Sequence, residues 1–166
     1  TSILKASALV GLLQPVSDGQ RVNLVNATLI AEDRGLKVSE EKSELTEQYS
    51  SLVTLEVTTT EGVVLFSGTH VRGEAHVVRV GEYWIDLVPN SPYMLFIDHQ
   101  DRPGLIGAVG TITGVKDINI SFMEVGRLAP RGLATMIFGL DDPMPDSALK
   151  EILSIPYVSS AKVIKI

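Results

Sequence analysis

The hydrophobic period of this chain changes repeatedly after residue 92, and the order of the changes leaves few folds open. Tyr93 to Ile97 reads as a strand, and Pro103 to Val115 carries apolar residues at helical spacing. Asn119 to Val125 and Leu133 to Leu140 return to strand character on either side of the turn sequence Ala129-Pro130-Arg131-Gly132. Asp146 to Leu153 is expected as a helix with Leu149, Ile152 and Leu153 on one face, and Ala161 to Ile166 alternates as a last strand.

A β-α-β-β-α-β order closes into one antiparallel sheet with both helices on one side, the ferredoxin-like arrangement. The residues before it follow other rules. Leu4 to Leu13 and Val22 to Arg34 have helical spacing, stopped by Pro15 and by Gly35 respectively. Thr54 to Thr58 and Val63 to Gly68 form an expected hairpin across Glu61-Gly62. His76 to Val80 and Tyr83 to Leu87 form a second across Gly81-Glu82, and Lys37 to Ser50 is expected as an exposed loop. The breaker cluster Pro89-Asn90-Ser91-Pro92 is the boundary candidate, giving an α+β protein with domains at 1–90 and 91–166.

Composition narrows the function classes. In a chain of 166 residues with 45% hydrophobic content, a sizeable core can form. The formal net charge of −6, without a long basic run, argues against nucleic acid or an anionic membrane as partner. With no cysteine there is no disulfide framework, thiolate zinc site or cysteine nucleophile, which fits a reducing cytoplasm. The start lacks an initiator Met and a signal-peptide pattern, and the chain reads as a fragment of a longer protein.

The segment His99-Gln100-Asp101-Arg102-Pro103-Gly104-Leu105 concentrates the chemistry. A carboxylate at a helix mouth can take an ammonium group, while the helix N-terminus offers N–H donors and positive dipole to a carboxylate. Those are the needs of a small zwitterion. Gly104, Gly107, Gly110 and Gly114 share one helix, at a cost of about 0.5–1 kcal/mol for each interior glycine. Gly104 suits a ligand approaching the main chain; Gly107 and Gly110 suit close packing against a sheet or partner. Their spacing is not the dinucleotide fingerprint. Asn119 can donate and accept toward a zwitterion. Arg127 and Arg131 flank a hairpin loop and are expected to be exposed. Arg21, Arg34, Lys37 and Lys42 are the basic residues of the first half close enough in sequence for an anion pocket, although a solvated face is the more ordinary explanation. No metal-ligand spacing and no nucleophile motif is present, so no catalytic residue is assigned.

The Asp101-Arg102-Pro103-Gly104 core, with Asn119 fifteen residues after the glycine, resembles the amino-acid-responsive ACT domain. Val22 to Ala27 with Ala31-Glu32-Asp33-Arg34-Gly35 resembles the intervening regulatory domain of long-form D-3-phosphoglycerate dehydrogenases, and Phe122 to Arg127 with Ala129-Pro130-Arg131 also resembles those enzymes. The resemblance implies a C-terminal regulatory fragment, its first domain lacking an opening strand upstream of Thr1. The parent would be an NAD-dependent oxidoreductase catalysing the first step of serine synthesis, with neither NAD nor a catalytic residue in this fragment. It implies L-serine as effector between two paired ACT domains of a homo-oligomer. Asp101 would take the ammonium, Pro103, Gly104 and Leu105 would offer main-chain N–H groups to the carboxylate, and His99 would contact the ligand. Asn119 would reach it from the neighbouring subunit. An anion site is implied for the first domain without fixed positions, and Arg34, Lys37 and Lys42 are its candidates by their closeness in sequence. Two other readings fit the same residues: the beta-type domain of an iron–sulfur L-serine dehydratase, and a ligand-free oligomerisation module.

Overall fold

A computed structural model describes residues 3–17, 19, 21–43, 49–60 and 62–166. The chain divides into two compact units, Thr1–Glu47 and Gln48–Ile166. In the first, α1 (Ile3–Leu13) buries Ala6, Leu9 and Leu13, and Pro15 turns the chain into a 3-10 turn over Gln14–Val16. The second helix, α2 (Ala27–Asp33), is shorter than the spacing from Val22 predicts. Two asparagines explain the difference. Asn23 Oδ1 accepts from the N–H groups of Val25 (2.9 Å) and Asn26 (3.1 Å), and Asn26 Oδ1 accepts from the Asn23 N–H at 2.7 Å. Residues 23–26 are thereby held in a turn, the competition with helix that asparagine side chains offer.

Gly35 ends α2 at φ +74°, where its N–H donates to Glu32 O at 2.8 Å and the Leu36 N–H to Ala31 O at 2.9 Å. This is the paired closure a left-handed glycine permits. Leu9, Leu13, Val22, Ala27, Ile30 and Ala31 make this unit's core. Residues 36–43 are exposed and irregular; within the expected loop, 44–48 lie outside the described residues.

The second unit contains two four-stranded antiparallel sheets. The first is a meander of β1 (Val53–Thr59), β2 (Gly62–Val71), β3 (Glu74–Val80) and β4 (Tyr83–Leu87) in sequence order. Val80 pairs with Tyr83 across the expected Gly81-Glu82 turn, and Thr59 pairs with Gly62; Glu61 lies outside the described residues. A hairpin that was not foreseen joins β2 to β3 through Arg72-Gly73, both left-handed at φ 50° and 94°. That backbone matches the twist of the strands it connects.

The second sheet comprises β5 (Tyr93–Gln100), β6 (Ile120–Arg127), β7 (Leu133–Leu140) and β8 (Val158–Lys165) in the order β6-β7-β5-β8. With α3 (Leu105–Val115) and α4 (Asp146–Leu153) it realises the ferredoxin-like order. β5 runs three residues beyond the predicted Ile97, so His99 lies within a strand. β8 begins at Val158, ahead of the expected Ala161.

Alternation along β5 sorts the core. Leu95 and Ile97 join Leu105, Val109, Met136, Phe138 and Ile152 beneath the helices, while Met94 joins Ile85, Leu87 and Ile137 against the first sheet. On α4 the buried residues are Ala148 and Ile152; Leu153 is 44% exposed rather than on the core face. Strand β4 crosses close to β6, where a Cβ on Gly126 would lie 2.8 Å from Tyr83 Cβ. The remaining α3 glycines do not follow this pattern. A Cβ on Gly107, Gly110 or Gly114 would meet nothing within 4 Å among the described residues, so packing against them does not explain these glycines.

Candidate functional site

The site grows from the end of β5. Gln100 N–H donates to Tyr157 O at 2.9 Å and Asp101 N–H to Gly132 O at 2.8 Å, fixing the segment to the elements on both sides. Arg102-Pro103-Gly104-Leu105 then forms a tight turn, with Gly104 left-handed at φ +93°, ψ −16°. Those angles are the third position of a type II turn, and proline suits the second. Helix α3 therefore starts at Leu105, two residues later than predicted. This also changes Pro103's part: a proline has no N–H, so it shapes the turn and donates nothing to a ligand. Helix geometry leaves the N–H groups of Leu105, Ile106 and Gly107 without intrahelical acceptors. Leu105 N–H makes one long 3.5 Å contact to Arg102 O, and Ala108 N–H returns to Gly104 O at 2.9 Å.

Asp101 stands at this mouth. Its Oδ2 accepts from the Arg131 main-chain N–H at 3.1 Å and the Arg127 guanidinium at 3.4 Å. The Arg131 N–H first, and then the Arg127 charge, hold its carboxyl below the ordinary value of 3.8. Asp101 is thus an anion at neutral pH, and no partner is found for its Oδ1 among the described residues. Two strand positions back, His99 is only 3% exposed, and neither ring nitrogen has a hydrogen-bond partner among the described residues. Arg102 lays its guanidinium over the Tyr157 ring at 5.2 Å, with its Nε buried and unpartnered.

An open pocket of about 360 Å³ is lined by Asp101, Arg102, Pro103, Gly104, Ile106, Arg127, Pro130 and Arg131. Arg127 and Arg131 are exposed, as expected, and both line this open pocket. The 128–132 loop turns back so that Arg131, held left-handed at φ 61°, offers its N–H to Asp101. Two arginines around a Pro-Gly turn were the available signal, but sequence does not show which segment that turn folds against.

The other expected residues lie elsewhere. Asn119 precedes β6, whose Ile120 pairs with Leu140, whereas Gln100 pairs with Leu133 at the other end of β7. At 3.3–3.4 Å per strand residue, Asn119 and Asp101 of one chain are roughly 25 Å apart. The Asn119 amide donates to Asp141 Oδ2 at 2.6 Å. In the first unit, Arg34 donates to Val16 O at 3.0 Å, and Lys37 and Lys42 lie on the exposed 36–43 stretch. No contact among the described residues draws those three together.

A β-α-β-β-α-β sheet with a carboxylate and a glycine-opened helix mouth at one end defines the class: an α+β protein with an ACT-like ferredoxin domain. Residues 1–81 match the family model of the D-3-phosphoglycerate dehydrogenase intervening domain. The whole chain is similar to D-3-phosphoglycerate dehydrogenases. Identity is 39% to that of Synechocystis sp., over 98% of this chain and 29% of the relative. The Bacillus subtilis enzyme is 35% identical over 99% of this chain and 31% of its own length; the Archaeoglobus fulgidus enzyme is 32% identical over 100% and 32%. The chain spans about 30% of the length of these relatives. No helix among the described residues is long and apolar enough to cross a membrane.

Proposed function

We propose that this chain is the regulatory part of an NAD-dependent D-3-phosphoglycerate dehydrogenase, the enzyme of the first step of L-serine biosynthesis, and that it binds L-serine as feedback effector. Residues 1–90 would act as the intervening domain and 91–166 as the ACT domain. The observation that carries this reading is the buried His99, with two unpartnered ring nitrogens, beside the Asp101 carboxylate and the opening turn of α3. Buried polar groups without partners cost about 1–3 kcal/mol each, and a ligand is one way to satisfy them.

In this reading Asp101 takes the ammonium of serine through Oδ1. The free N–H groups of the first α3 turn take the carboxylate, helped by the helix dipole. Asn119, roughly 25 Å away within one chain, serves a second copy's site, so the effector sits between two ACT domains of a homo-oligomer. Serine then regulates by binding one subunit arrangement better than another, a coupling of typically about 1–3 kcal/mol.

Nicotinamide chemistry would reside outside this chain. β7 lies between β5 and β6, so the β5–α3 turn opens no crevice between adjacent parallel strands, and Gly104, Gly107 and Gly110 do not have dinucleotide spacing.

Calorimetry with L-serine tests the proposal. Asp101→Ala and Asn119→Ala should each weaken binding about 10–150-fold, the worth of a charge-assisted or well-placed buried hydrogen bond. Unchanged affinity in Asp101→Ala would sink the assignment. A stable oligomer that binds no amino acid would leave an assembly module only.

A further inference from the structure

Serine has seven heavy atoms, and its two charged ends account for only part of the pocket. The open pocket, about 360 Å³, leaves room beyond a molecule of that size. Arg127 and Arg131 both line it, and their charges exceed the single carboxylate in the lining.

The two arginines differ in commitment. Arg127 gives one guanidinium nitrogen to Asp101 at 3.4 Å and keeps its other donors. Arg131 contacts Asp101 through its main chain, and its guanidinium has no ion-pair or hydrogen-bond partner among the described residues. Its carbonyl accepts from Gln100 Nε2 at 3.3 Å, so the loop bearing it is tied at both the N–H and the C=O. An unpaired guanidinium on an anchored backbone, beside a second arginine fixed by an ion pair, is suited to a planar or tetrahedral oxyanion.

We infer that the Arg127–Arg131 pair is a second, anion-reading subsite of this pocket. The site then takes an α-amino acid whose side chain bears a carboxylate or phosphate more tightly than it takes serine. The inference rests on the amino-acid reading above. The ammonium meets Asp101 Oδ1, the α-carboxylate meets the α3 N–H groups, and the side-chain anion meets the two guanidinium groups.

Titration calorimetry on the whole chain with L-serine, O-phospho-L-serine, L-aspartate and inorganic phosphate tests this. O-phospho-L-serine or L-aspartate is expected to bind at least about tenfold tighter than L-serine. That preference should shrink as salt rises from about 0.01 to 0.5 M, because exposed charges are screened. Arg131→Gln, which leaves the main-chain bond to Asp101 in place, should erase most of the preference; far-UV dichroism and the melting temperature report that it is folded. The two anionic amino acids distinguish a carboxylate from a phosphate as the preferred group. Equal affinity for serine and both analogues, or a preference that survives Arg131→Gln, overturns the subsite and leaves the serine reading intact. Binding of inorganic phosphate with no binding of any amino acid, or no binding at all, overturns both.

Discussion

A methyl group on Gly126 would stand 2.8 Å from Tyr83 Cβ and 3.0 Å from Ile85 Cγ2, distances that packed carbons do not tolerate. Gly126→Ala should therefore push β4 away from β6 and destabilise the fold by about 1–3 kcal/mol, read from urea unfolding. Asp101 makes a different prediction. Its folded-state carboxyl titrates below 3.8, because the Arg131 N–H and the Arg127 charge favour the anion. A depressed value means the contribution is fully present above the unfolded carboxylate range and is lost as pH falls through the folded value. The stability difference between wild type and Asp101→Asn should thus be flat from pH 8 to about pH 5 and disappear in stronger acid. Melting curves across that range check it. Serine affinity under the proposed function should follow the same profile.

Helix α3 shows how far an element can be read from its residues. Its apolar spacing gave its existence and its end, and Leu105, Val109 and Thr113 do face inward. Its start was misplaced because Pro103 favours a first helical position and a type II turn equally well; the glycine that follows decides between them. The sequence pattern for α2 failed similarly, since spacing does not reveal that Asn23 and Asn26 bond the main chain before Ala27. Strand lengths were underestimated where pairing partners extend them, as β7 does for Asp98 to Gln100. The α3 glycines remain costly without packing inside the chain to justify them. Gly107→Ala should accordingly stabilise the monomeric chain by about 0.5–1 kcal/mol, because the new methyl meets nothing and helix propensity rises. Chemical denaturation at low protein concentration measures this. A loss of stability that appears only at high concentration would place another copy of the chain on this face.

At the scale of the molecule, the ferredoxin-like order was legible because alternation and helical spacing are local signals that survive in any context. The pocket was legible only in part. Asp101 and Gly104 announce a helix mouth, but Arg127 arrives there at the end of β6 and Arg131 on the 128–132 loop, tertiary contacts with no local signature. The packing of the first sheet on the second was equally hidden, since it depends on Gly126 standing opposite Tyr83 across two hairpins. Asn119 was placed in the same set as Asp101 by resemblance alone, and the sheet holds the two at opposite ends.

That separation has a genetic consequence. If each effector site combines Asp101 of one copy with Asn119 of the next, the two residues belong to different complementation groups within one gene. An Asp101→Ala chain and an Asn119→Ala chain, each defective alone, would form hybrids in which one site inherits both intact residues and the other inherits both lesions. Random mixing into dimers should restore about a quarter of the sites, counted as the stoichiometry of tight serine binding after co-refolding. Two defective proteins that heal one another on mixing would be a signature that no site confined to a single chain can produce.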